Sequence, residues 1–246
     1  MPQFYRYQVN TFFMSAKTKS ILIVILVLFF DQLLKFWIKS HMMLGDEIII
    51  AKNWFIIHFV ENNGMAFGLE FGNSIGKYFL SVFRIVAVGA IGWYLSKLWK
   101  RDVPFGLVAC FALIMAGAIG NILDSAFYGL IFNESYGQVA TLFPASGGYA
   151  GFLQGRVVDM FYFPLISGNY PSWIPFVGGN DFIFFRPVFN MADSSITVGI
   201  ISILIFYRRF FDEKHAPKAQ PVTKEVNPEV VADETSHDKL ISTNEE

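Results

Sequence analysis

Residues 187–207, PVFNMADSSITVGIISILIFY, make an apolar stretch long enough to cross a bilayer, with Asn190 and Asp193 one helical turn apart near its start. A carboxylate in a spanning helix costs on the order of 3 kcal/mol at mid-depth, so it is a functional hypothesis by default. Every other segment can be asked what it supplies to that aspartate.

Composition sets the class. Of 246 residues, 54% are hydrophobic and only 16% charged, where soluble domains run to about a quarter charged, so a membrane protein is favoured. The net charge of −1 gives no reason to expect a nucleic-acid partner. The single cysteine, Cys110, excludes an internal disulfide and a metal site built on cysteines. His41, His58, His215 and His237 lie outside the apolar runs without helical metal-ligand spacing, so no metal is expected. Ser194 and Ser195 have no candidate base except Asp193, which makes a serine nucleophile a poor fit.

Four stretches, 21–38, 78–95, 104–123 and 188–207, approach the roughly 20 residues that span a hydrocarbon core. Lys17 and Lys19 precede the first as in a secretory signal, but Asp31, Lys35 and Trp37 follow in place of a small-residue cleavage site, predicting a retained span. Arg6, Lys17, Lys19, then Lys97, Lys100, Arg101, then Arg208, Arg209, Lys214 fall on one side of this topology. Both termini are therefore expected in the cytoplasm, with segments 41–77 and 125–186 outside. Segment 41–77 has strand-like runs at 48–51 and 54–60, then the turn-rich Asn62-Asn63-Gly64-Met65-Ala66-Phe67-Gly68, predicting a small sheet at the membrane surface. Segment 125–186 is aromatic and rich in Gly and Pro, a composition suited to the membrane–water interface. From 212 to 246 the chain turns polar and is expected to be a disordered tail on a membrane domain of residues 1–211.

At ~1.5 Å per residue the polar groups converge on the outer side. Asp31 falls past the midpoint of span one, with Lys35 a turn further out. Span three closes on Gly120-Asn121-Ile122-Leu123-Asp124, and span four opens on Asn190 and Asp193. Asp159 lies in Gly155-Arg156-Val157-Val158-Asp159-Met160, an apolar run able to lead the chain back to the bundle. Asn121/Asp124 and Asn190/Asp193 share the spacing N-x-x-D, which sets an amide and a carboxylate on one helix face. Ala116, Gly117, Gly120, Ala192, Ser194, Ser195 and Gly199 allow close helix approach. Carboxylates crowded in a low dielectric share a proton. One member can then deprotonate water while the other donates to a carbonyl, as in aspartic proteolysis. Spacing alone makes Asp124 the partner of Asp193.

Five blocks in order then carry a resemblance: Asp31-Gln32-Leu33-Leu34-Lys35; Asn62-x-Gly64-x-Ala66-Phe67; Gly117-Ala118-Ile119-Gly120-Asn121-Ile122-Leu123-Asp124; Gly155-x-Val157-Val158-Asp159; and Phe189-Asn190-Met191-Ala192-Asp193-Ser194-Ser195-Ile196. Over residues 21–207 the chain resembles lipoprotein signal peptidase (signal peptidase II), a bacterial inner-membrane aspartic protease. The resemblance implies an all-α membrane bundle of four transmembrane helices with a small extracytoplasmic β-cradle and, here, an inserted outer loop region. It implies no metal or organic cofactor. The substrate would be a diacylglyceryl-modified prolipoprotein, cut before its lipidated cysteine near the periplasmic face by a monomer bathed in membrane lipid, and globomycin would inhibit it. Matched block by block, Asp159 and Asp193 become the catalytic pair, with Asp31, Lys35, Asn62, Gly64, Asn121, Asp124 and Asn190 as supporting positions. The Val-Val-Asp block thus moves the partner of Asp193 from Asp124 to Asp159. Two departures stand out. The family usually has Arg after the aspartate of the span-three block, where this chain has Ser125, and nearby Arg156 is the charge expected to replace it. Insertions at 125–155 and 164–186 are expected to form a lip over the cleft.

Two other classes fit a polytopic chain with buried acids. A small proton-coupled transporter would need a duplicated half or interrupted helices, and neither is visible. A non-catalytic scaffold would use the outer loops for partner binding.

Overall fold

The computed structural model describes residues 14–52, 54–63, 74–164, 166–184 and 187–212. Gly64 and the tail beyond 212 lie outside them, as do Arg6, Arg186 and Lys214. The chain groups into one compact unit up to Arg208 and a second from Arg209 onward, of which only Arg209–Asp212 is described.

The first helix, α1 (Ala16–His41), starts where Ser15 accepts a hydrogen bond from the Thr18 N–H, satisfying one of the free donors of the first turn. At about 39 Å it is longer than a hydrocarbon core, so its last turns with Lys39 and His41 overrun the apolar layer. Strands β1 (Glu47–Ala51) and β2 (Phe55–Asn62) follow, then α2 (Ser74–Leu98) and α3 (Phe105–Leu123). Next, α3 runs on through a π-helical turn, Asp124–Tyr128, into α4 (Gly129–Ile131). The chain then forms β3 (Val157–Tyr162), β4 (Ile166–Asn169), β5 (Asp181–Phe184) and β6 (Val188–Phe189). It ends, as far as it is described, in α5 (Met191–Ser202), a second π turn (Ile203–Tyr207) and α6 (Arg208–Asp212).

Among the described residues, four helical stretches are long and apolar enough to cross a membrane: Ala16–His41, Gly76–Leu98, Phe105–Ile131 and Met191–Phe211. The helices depart from the expected bounds at both ends, the first running from Ala16 to His41 where 21–38 was expected, and two of the differences have a local cause. The third span continues eight residues past 123, because a π turn absorbs the extra residue and the helix stays continuous. The fourth helix starts at Met191 instead of 188, because Val188–Phe189 is taken by the sheet and Asn190 becomes the N-cap.

Helix α3 packs against α1, α2 and α5 and is the most buried of the four. Its small residues make this possible. A Cβ on Gly117 would sit 2.2 Å from the Ala192 carbonyl oxygen, so α3 and α5 approach backbone to backbone. Away from α3, Leu26, Phe29, Leu33 on α1 and Phe79, Phe83, Val86 on α2 stay exposed, the arrangement expected of lipid-facing surfaces.

A four-stranded antiparallel sheet, β1-β2-β3-β6, caps one end of the bundle. Its core is Ile38 and Met42 from α1, Ile57 and Phe59 from β2, Val158 and Met160 from β3, with Tyr128, Phe132 and Ala140. The last three come from the first insertion, which thus fills the core between α1 and the sheet; apolar rings of that size are buried where a lip would leave them in water. Backbone bonds from Gly155 N–H to Ser125 O (2.8 Å) and from Ala150 N–H to Gly129 O (2.9 Å) fold the insertion back on α3. The second insertion contains the two-stranded β4–β5 hairpin, with Trp173 and Phe176 exposed in its loop.

Candidate active site

Two parts of the chain bring the site together. The Gly155 turn is so close that a Cβ there would lie 2.3 Å from the Asp124 carbonyl oxygen, and it delivers β3 to the end of α3. Asp124 Oδ2 accepts the Val158 N–H at 3.2 Å and fixes the strand. Asp159 then faces Val60 across the β2–β3 pair, diagonal to Asn62, whose Nδ2 donates to Asp159 Oδ2 at 3.2 Å. On the other edge, Phe161 pairs with Phe189, so Asn190 leaves the sheet beside the Asp159 end of β3.

Asn190 opens α5 with a capping box. Its Oδ1 accepts the Asp193 N–H at 2.8 Å, and Asp193 Oδ2 accepts the Asn190 N–H at 3.3 Å. The Asn190 Nδ2 remains free for other acceptors and donates to Asp159 Oδ1 at 2.7 Å and to Asn121 Oδ1 at 3.1 Å. Asn121 Nδ2 in turn donates to Asp193 Oδ1 at 2.8 Å. Asp159 and Asp193 thus both bond to one residue, and neither makes an ion pair among the described residues. In the fourth span the N-x-x-D spacing makes a cap, whereas a shared helix face was expected.

Asp159 is 3% exposed. Burial first, then the neighbouring Asp193 charge, pushes its carboxyl up to about 7, against the downward pull of the Asn62 bond, the Lys35 charge and the Asn190 bond. Near neutral pH this is a carboxyl group able to hold a proton. Asp193 is less enclosed.

Asp124, the alternative partner by spacing, is engaged elsewhere. Lys35 Nζ lies 2.8 Å from Asp124 Oδ2 and 2.8 Å from Asp31 Oδ2, all three side chains fully or almost fully buried. Gln32 Nε2 donates to Asp124 Oδ1 at 2.9 Å, and Tyr128 OH holds Gln32 Oε1 at 3.1 Å. Asp31 Oδ1 accepts the Ala192 N–H at 2.9 Å, anchoring α5 to α1. Lys35 also donates to Asn121 Oδ1 at 3.2 Å, so this cluster supports the amides that hold Asp159 and Asp193.

Arg156 is not brought to the aspartates. Its Nη1 bonds Glu61 Oε2 (2.9 Å) and Glu134 Oε2 (2.7 Å). Glu61 also pairs with Lys39 and accepts from Ser135 at 2.9 Å. Burial alone would raise the Glu61 carboxyl, but the Lys39 charge and these hydrogen bonds hold it below its ordinary value. The cation near Ser125 is instead Arg84 of α2, whose Nη1 lies 3.5 Å from Ser125 Oγ. Its sequence signal was available: Lys77, Ser81 and Arg84 follow i, i+4, i+7 spacing in an apolar span, one polar stripe on one helix face. Lys77 and Ser81 bond the carbonyls of Gln154 and Leu153 in the first insertion, which aligns that face.

No group of three or more His, Cys, Asp and Glu placed to hold a metal occurs among the described residues. An apolar groove of about 540 Å³, lined by Phe30, Leu33, Leu34, Trp37 and Met191, runs along α1 to the start of α5.

A family model described as signal peptidase (SPase) II matches residues 23–209. The chain is 55% identical over 188 residues to a lipoprotein signal peptidase of Porphyromonas gingivalis, covering 76% of this chain and 81% of that one. A lipoprotein signal peptidase of Amoebophilus asiaticus is 35% identical over 228 residues, with 91% and 87% covered. Among solved structures, a bacterial membrane enzyme determined by the in meso method at 1.9 Å resolution aligns with a TM-score of 0.50 and 26% identity, over 76% of this chain and 91% of that one. The chain belongs to the signal peptidase II family.

Proposed function

We propose that this multi-pass membrane peptidase removes the signal peptide from diacylglyceryl-modified prolipoproteins by aspartic catalysis, with Asp159 and Asp193 as the catalytic pair. The observation that carries the reading is the bonding of both aspartates to Asn190, at 2.7 Å and 3.3 Å, without an ion-pair partner for either among the described residues. Asp159, held near neutrality, carries the proton and donates it toward the scissile carbonyl oxygen. Asp193 accepts a proton from water as the water oxygen bonds to the carbonyl carbon. The tetrahedral intermediate collapses as the C–N bond breaks: the proton on Asp193 passes to the leaving amine, and the hydroxyl formed from the carbonyl returns its proton to Asp159 as the C=O bond re-forms. Asn121, Asn62 and Asn190 orient the carboxyls throughout.

The lipid sets the register. One acyl chain of the substrate lies in the groove that ends at Met191, next to Asn190, so its depth chooses the peptide bond presented to the aspartates. The Lys and Arg pattern of the loops supports cytoplasmic termini and a site on the outer side of the bacterial inner membrane. We assign the catalytic body to residues 1–211, acting as a monomer sensitive to globomycin, and residues 212–246 to a polar tail.

The test is direct. Detergent-purified protein added to a diacylglyceryl-modified prolipoprotein should release the signal peptide, read as a mass shift, and Asp159→Asn or Asp193→Asn should abolish it. Activity that survives in Asp159→Asn and is lost in Asp124→Asn would reassign the pair.

A further inference from the structure

Arg84 is a cation in a membrane-spanning helix without a carboxylate partner among the described residues. Its flanks, Val82, Phe83, Ile85 and Val86, are exposed apolar residues, while Arg84 lies on the inward stripe with Lys77 and Ser81. A guanidinium at such a depth is normally paired. Here its hydrogen bond is the 3.5 Å contact with Ser125 Oγ, and it makes no ion pair among the described residues. The Arg84 side chain is half-buried, neither sealed in the bundle nor fully in the open. The charges acting on it are Asp193 first, then Asp124 and Asp159. Asp124 is already paired with Lys35. Arg84 therefore lies within electrostatic range of Asp159 and Asp193, with most of its five donors unused among the described residues.

We propose that Arg84 is a substrate-positioning residue whose guanidinium donates hydrogen bonds to backbone carbonyl oxygens of the prolipoprotein segment lying over Asp159 and Asp193. An extended peptide offers acceptors and no charge, which suits a rigid fork of donors kept off the carboxylates. The inference rests on the assignment of the aspartates as the catalytic pair.

The experiment compares wild type, Arg84→Gln and Arg84→Lys as full-length detergent-purified proteins, with a diacylglyceryl-modified prolipoprotein peptide as probe. An interaction made equally in ground and transition states raises KM and leaves kcat alone. Arg84→Gln should raise KM about tenfold or more with kcat within threefold, and Arg84→Lys should recover part of the loss because it keeps charge without the fork. Binding of the same peptide to Asp193→Asn protein should weaken by the same factor when Arg84→Gln is added. An unchanged KM and unchanged binding would overturn the proposal. So would a loss of kcat together with thermal stability that Lys fails to restore, since that pattern belongs to a structural residue. Cleavage persisting in Asp159→Asn and Asp193→Asn would instead overturn the catalytic assignment, a separate failure.

Discussion

Asp31 and Asp124 share an ammonium group, Lys35 Nζ, at 2.8 Å from each; Asp159 and Asp193 share Asn190, through its amide and its backbone N–H. All four lie at one end of the bundle, linked through Asn121. The Lys35 pair is ion-paired: one cation bridges two enclosed carboxylates, with remaining lone pairs used by Gln32, Ala192 N–H and Val158 N–H. Such a group ties α1, α3, α5 and β3 together but has no capacity left for chemistry. The Asn190 pair is oriented by neutral donors and makes no ion pair among the described residues, so burial first and then the Asp193 charge raise the Asp159 carboxyl to about 7. A lysine in the place of Asn190 would pin both groups as carboxylates. On the proposed assignment, the difference between structural and reactive acids is the charge of the shared donor.

That contrast can be broken at either pair. The largest effect is expected from Asp159→Asn and Asp193→Asn, which should each lower cleavage about 10³-fold or more while the protein elutes and melts as a folded species. Lys35→Met should do the reverse. It strands two buried carboxyls, costing about 3–5 kcal/mol of stability, seen as poor yield and a lower melting temperature. Neutralising its partners as well, in Asp31→Asn/Lys35→Met/Asp124→Asn, should return much of that stability. Asn190→Ala should cost about 1 kcal/mol through the lost cap and lower kcat about ten- to a hundredfold. It should also move the alkaline limb of the pH–rate profile upward, because the Asn190 bond is one of the interactions holding the Asp159 carboxyl down. The smallest effect is expected from Arg156→Gln. Glu61 keeps Lys39 as its partner, so stability should fall by about 1 kcal/mol and cleavage should stay within twofold.

The four spans and the two leading strands were legible because apolar length and alternation survive folding unchanged. The end of the third span was not, since a π turn has no compositional mark and Asp124 reads as a stop. The start of the fourth helix was displaced by three residues because Val188 and Phe189 are as apolar as a helix start and only the facing strand β3 recruits them. Spacing along the chain ranked Asp124 above Asp159; what separates them is Lys35, whose ammonium could reach either until the fold showed it 2.8 Å from Asp124. Arg156 was read as a substitute charge because it is close in sequence, yet Glu61 and Glu134 take it. Arg84 was overlooked inside an apolar run, although its stripe with Lys77 and Ser81 was there to be seen. Gly64, expected to support the pocket, lies outside the described residues.

A proton held on Asp159, as proposed, would make one further demand. Its folded value, raised from the ordinary 3.8 to about 7, means that ionising it works against the fold. Stability should therefore decline as pH rises from the ordinary carboxylate range to about 7 and level off above, and Asp159→Asn should flatten that decline. The sharpest single measurement is kcat/KM for cleavage of a diacylglyceryl-modified prolipoprotein from pH 5 to 9. A proton shared between Asp159 and Asp193 predicts an alkaline limb with an apparent value near 7, falling tenfold per pH unit beyond it. A rate that stays flat through pH 9 would contradict it.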